Sequence, residues 1–99
     1  MSKKLERLES RIKPFREEID AIDEVIVTLL NKRAIAATQI GHVKREYNVA
    51  VYAPKREEEV IGHVTGKNPG PLSNAAISRL FERIIDESRR LERETTLIK

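Results

Sequence analysis

The 99-residue chain predicts an all-α fold of three helices, a very long first, a short second and a long third. Three observations carry this. Apolar residues in the first half recur at alternating intervals of three and four, which sets them on one face of one helix. Strand formers nowhere cluster in alternation outside residues 48–52. Proline and glycine cluster in the second half within residues 65–71, where no helix can continue, and Pro54 fits a helix start.

The first helix is expected over residues 4–47. Its stripe is Leu5, Leu8, Ile12, Phe15, Ile19, Ile22, Ile26 and Leu29, then Arg33, then Ala36, Ile40, Val43 and Tyr47. At ~1.5 Å per residue such a helix is roughly 65 Å long. A compact domain of about 100 residues has a radius of gyration of only ~13 Å. The helix is therefore too long for a lone globule, and its heptad-like seam predicts pairing with a second copy. Pro14 leaves two readings. Either the helix begins properly near Lys13, with residues 1–12 a frayed extension, or it bends there.

The second helix is expected over residues 54–64, with Pro54 in its first position and Val60, Ile61 and Val64 as its apolar edge. Ser73 then reads as an N-cap, and Leu72 and Ile77 as a hydrophobic staple. The third helix follows over residues 74–95. Its stripe is Ile77, Phe81, Ile84, Ile85, Ser88, Leu91 and Glu92.

Composition bounds the function. The chain has room for one core only, so a single domain over residues 1–99 is expected. No cysteine is present, so neither a disulfide framework nor a thiolate metal site can form. His42 and His63 have no acidic partner at ligand spacing, so no metal site is expected. The N-terminal segment has no apolar core of a signal peptide, and no apolar run approaches membrane length. A cytoplasmic address and no membrane partner follow. Nineteen basic and 16 acidic residues are interleaved, with four aromatics and no tryptophan. A nucleic-acid groove needs a one-signed stripe and stacking platforms, so no nucleic-acid partner is expected.

The chemistry is carried by polar residues in apolar registers. Arg33 occupies a seam position, where a guanidinium is costly unless an anion meets it. Lys44 lies eleven residues on, ~16 Å along the axis and on the same face. A small ligand with more than one acceptor would fit between them; alternatively Lys44 only snorkels at the helix end. Arg16 lies ~25 Å from Arg33 and about 100° round the helix. It cannot share a pocket with Arg33 of its own chain, but it could reach a pocket of the second copy, or simply be solvated. Arg56 opens the second helix against the dipole, which is more useful if it faces an anion, whereas Glu57 suits that helix end. Ser88 and Glu92 are one turn apart on the core face of the third helix and should be hydrogen-bonded. Glu92 could be a structural counter-ion of Arg33 or Lys44.

The stretches FREEIDAIDEVIVTLLNKR, QIGHVK, PKREEE and SRLFERIIDES, in that order, resemble the all-helical chorismate mutases from about Phe15 to Glu94. The resemblance implies an intertwined homodimer with two active sites, each lined by three helices of one subunit and closed by the first-helix arginine of the other. That arginine would be Arg16. By the family pattern Arg16 and Arg33 bind substrate carboxylates, and Lys44 contacts a carboxylate and the ether oxygen. Arg56 helps hold the carboxylates, Glu57 takes the ring hydroxyl, and Ser88 lies by the ring-side carboxylate. Glu92 occupies the position that donates to the ether oxygen. The implied reaction is the pericyclic rearrangement of chorismate to prephenate in aromatic amino-acid biosynthesis, with no cofactor.

Two positions depart from that pattern. Ala53 stands where many members carry an aspartate, so it can neither cap the second helix nor touch the hydroxyl. Glu92 stands where glutamine is common, so it is expected to act protonated, its pKa raised by burial. Two other readings of the chain remain open. One is isochorismate pyruvate lyase on the same scaffold, with which Ala53 is compatible. The other is a non-catalytic dimeric helical module, which accounts for the seam but not for Arg33, Ser88 or Glu92. The chain could also be the mutase domain of a larger bifunctional enzyme.

Overall fold

The computed structural model describes residues 2–97, with side chains through residue 94. Three helices make up the fold: α1 (Ser2–Glu46), α2 (Pro54–Gly66) and α3 (Asn74–Leu97). No strand occurs among the described residues, and residues 48–52 form part of the α1–α2 connector. The described residues divide into two units, one up to Lys32 and one from Arg33 onward.

The first unit is helix alone. α1 carries Pro14 in its interior. Residues 2–12 are helical and continuous with the rest of α1. Proline removes one N–H from the ladder, but the turns on either side keep their own bonds. Along this unit the seam lies open: Leu5, Phe15, Ile19, Ile22, Ile26 and Leu29 are each 46–66% exposed.

In the second unit the helix ends are defined by local hydrogen bonds. α1 stops at Asn48, whose φ of 55° is left-handed, a conformation that Asn adopts more readily than most residues. The Val49 N–H then donates to the Lys44 carbonyl at 2.8 Å and the Asn48 N–H to that of Arg45 at 3.2 Å. Those two bonds are a Schellman stop. Ala53 precedes α2 without any side-chain cap bond. Ser73 caps α3 as expected, its Oγ accepting from the Ala76 N–H at 3.1 Å. Between α2 and α3, Asn68 Nδ2 donates to the Leu72 carbonyl and to Asn74 Oδ1, and its own Oδ1 accepts from the Gly70 N–H. α2 packs on α3. Among the described residues, Ala37 and Gly41 on α1 and Glu92 on α3 are buried.

Candidate functional site

Ala37 and Glu92 face one cavity of about 250 Å³ in the second unit. α1 contributes Arg33, Ala36, Ala37, Ile40 and Lys44, all on one helical face. α2 and the residues before it contribute Val51, Ala53, Arg56, Glu57 and Val60, and α3 contributes Ile85, Ser88, Arg89 and Glu92. The walls are apolar and the charged groups sit at separate points around them. Such a cavity suits a small organic ligand held at a few fixed polar points.

The charges are paired across helices. Arg33 Nη1 donates to Ser88 Oγ at 2.7 Å, joining α1 to α3. Arg33 therefore leaves the apolar seam by turning to a hydroxyl, which cannot neutralise it. Lys44 Nζ donates to the Val51 carbonyl at 3.0 Å and stands 3.8 Å from Glu92 Oε2. The Schellman stop just after Lys44 folds the chain back and brings that carbonyl within reach. Glu92 packs tightly because Gly41 faces it; a Cβ on Gly41 would lie 3.5 Å from the Glu92 Cα. Burial raises the Glu92 pKa above the usual carboxylate range, although Lys44, Arg33 and Arg89 each pull it down. The group thus holds its proton to higher pH than an ordinary carboxyl, although cations surround it.

The other expected residues are placed less uniformly. Glu57 lines the cavity and accepts from Arg89 Nη2. Arg56 lies at the exposed edge of the cavity, 3.7 Å from Glu59 one turn on. Arg16 belongs to the first unit, where Nη1 pairs with Glu9 Oε2 at 2.7 Å on the exposed helix surface. Two contributors were not foreseen. Val51 acts through its carbonyl, which no side-chain pattern reveals. Arg89 lies four residues after Ile85 and three before Glu92, a spacing that sets it on the cavity face of α3. Among the described residues no group of three or more His, Cys, Asp or Glu could hold a metal ion, and no helix is long and apolar enough to cross a membrane.

A family model for chorismate mutase type II matches residues 15–93, which contain every residue of this cavity. The chain belongs to the chorismate mutase type II family. The bifunctional chorismate mutase/prephenate dehydratase of Neisseria gonorrhoeae is 40% identical over 84 residues, 85% of this chain and 23% of that protein. That of Aquifex aeolicus is 34% identical over 87 residues, 84% of this chain and 24% of that protein. The chain thus spans about a quarter of the length of these curated relatives. Among solved structures, form II of the chorismate mutase of Thermus thermophilus superposes with a TM-score of 0.82 at 37% identity, over 84% of this chain and 94% of that one. The chorismate mutase of Helicobacter pylori in complex with prephenate gives 0.83 at 27% identity, over 91% and 98%. Both likenesses agree with three helices and no strand.

Proposed function

We propose that this chain is a chorismate mutase, rearranging chorismate to prephenate in the biosynthesis of phenylalanine and tyrosine. The observation that carries this is the buried Glu92 carboxyl beside Lys44 and Arg33 in a cavity of small-molecule size. A dicarboxylate ligand would supply the anion that Arg33 lacks and could draw Arg56 from Glu59 at the exposed edge of the cavity. The prephenate held by the Helicobacter pylori protein is such a dicarboxylate. The rearrangement breaks one C–O bond and forms one C–C bond within a single molecule. It needs no nucleophile, metal or cofactor.

The chain's own groups then divide the work. Arg33, Arg56 and Ser88 hold the carboxylates and with them the folded conformer in which the reacting carbons meet. Glu57 accepts the ring hydroxyl. Lys44 and protonated Glu92 donate to the ether oxygen, which gains negative charge as its bond to carbon breaks. An ionised Glu92 would repel that oxygen, so the raised pKa matters to the reaction and not only to folding.

The functional unit we propose is a homodimer, in which residues 1–99 form a single domain completed by the second copy. One buried apolar side chain, that of Ala37, among the described residues is too little core for a stable chain of this size. The open α1 seam offers the missing apolar surface. Arg16 would close over the site of the second copy, exchanging Glu9 for a substrate carboxylate. A cytoplasmic setting goes with this reading.

The test is loss of chorismate absorbance with purified protein, alongside pyruvate release from isochorismate. Prephenate formation without pyruvate release is expected. Pyruvate release from isochorismate with no loss of chorismate would replace the mutase by the lyase, and neither reaction would leave a non-catalytic helical module.

A further inference from the structure

Arg89 has no role in the reaction just described, yet its side chain is only 21% exposed and it lines the cavity. Three groups hold it. Nη2 donates to Glu57 Oε2 across the α2–α3 interface. Asp86, one turn back on α3, lies 3.9 Å away. The guanidinium also stands over the Tyr52 ring, 5.3 Å from its centroid, in the connector ahead of α2. An arginine gripped by a carboxylate and an aromatic face has its plane fixed. Glu57 sits in the first turn of α2, the end that Ala53 leaves uncapped.

We propose that Arg89 is a positioning residue, which with Tyr52 clamps the start of α2 and fixes Glu57 as an oriented acceptor for the substrate hydroxyl. The inference rests on the mutase reading above. The clamp uses Oε2, one of two acceptor oxygens on a carboxylate. It joins α3 to the α2 start by a side chain, where Ala53 offers no local cap. A lysine could supply the charge but not the planar fork or the stacking, so arginine is required by geometry.

A contact to a hydroxyl remote from the breaking bond exists equally in the ground and transition states, so its loss appears in KM and not in kcat. Arg89→Met should raise KM for chorismate roughly tenfold, the loss of one charged hydrogen bond, with kcat near the wild-type value. Glu57→Gln should do the same. The double variant should be no worse than Glu57→Gln alone, because the two residues act as one unit. An unchanged KM in Arg89→Met overturns the proposal. So does a further tenfold rise when Arg89→Met is added to Glu57→Gln, which would mean that Arg89 touches the substrate itself. If circular dichroism shows that Arg89→Met does not fold, Arg89→Lys takes its place in the cycle. A several-fold rise in KM is expected there, again absent when Glu57 is already replaced, and a wild-type KM overturns the idea. A wild-type protein without turnover would sink the mutase reading and this inference together, whereas an active wild type with an unaffected Arg89→Met sinks this inference alone.

Discussion

Glu92 lies among cations that favour its charge, yet burial dominates and its pKa stays raised. The sign of two pH effects follows. For stability, the folded chain holds this proton to higher pH than the unfolded one, so the Glu92 contribution is fully present below the ordinary carboxyl range. It is lost as pH rises through the raised folded pKa. For catalysis, the donor is present below that pKa and gone above it. The facing groups are Arg33 and Lys44 on α1, Arg56 and Glu57 on α2, and Arg89 on α3. A bound dicarboxylate would offset those cations and push Glu92 further up. The falling limb should therefore lie at higher pH for kcat, which reports the complex, than for kcat/KM, which reports the free enzyme. Glu92→Gln keeps an N–H donor at every pH, so both profiles should flatten. Coincident limbs in the wild type, or an unchanged profile in the variant, would count against a protonated Glu92. Lys44 differs in being held by its bond to the Val51 carbonyl. Lys44→Ala should lower kcat by a factor of ~10²–10³, as for other single preorganised donors, and stopped-time prephenate assays would show near-normal turnover if the role is misassigned.

At the scale of elements, local contacts were legible in the sequence and long-range ones were not. α2 begins at Pro54 and α3 just after Ser73, as expected, because proline chemistry and N-cap bonds are local and written within four residues. The facing of Arg33, Lys44, Ser88 and Glu92 was also legible, since each breaks an apolar register of its own helix. Which of them meet was not. Glu92 pairs with Lys44 at 3.8 Å, while Arg33 turns to Ser88. That choice depends on the offset between α1 and α3, which no periodicity within one helix contains. Arg89 was missed for the same reason: Glu57 is 32 residues away, on another helix. Ala53 gives the element-scale prediction. It stands at the N-cap of α2 with φ −141°, ψ 76° and no cap bond. Ala53→Asp should stabilise the fold by roughly 1 kcal/mol, raising the melting temperature by about 4–8 °C for a chain of this size. A lowered melting temperature would mean that α2 is not entered at Pro54.

For the whole molecule the open question of supply is Arg16, which the second unit of its own chain does not need in order to form a cavity. In the proposed homodimer the open apolar face from Leu5 to Leu29 would be covered by the second copy, and two-fold symmetry would place the same residue in two equivalent sites. Arg16→Ala and Lys44→Ala should each be nearly inactive, but for defects at different places. In a mixed dimer one site would combine the intact Lys44 of the first chain with the intact Arg16 of the second, and the other site would carry both losses. Refolding the two variants together in equal amounts makes about half of all dimers mixed, so about one site in four should be whole. Activity should therefore return to roughly a quarter of the wild-type value, from two proteins that are inactive apart. No recovery, with mixed dimers shown to form by mass spectrometry, would place Arg16 at the site of its own chain or at none. Recovery has no explanation except a site built by two copies, and it would tie the long seam of α1 to catalysis and not to stability alone.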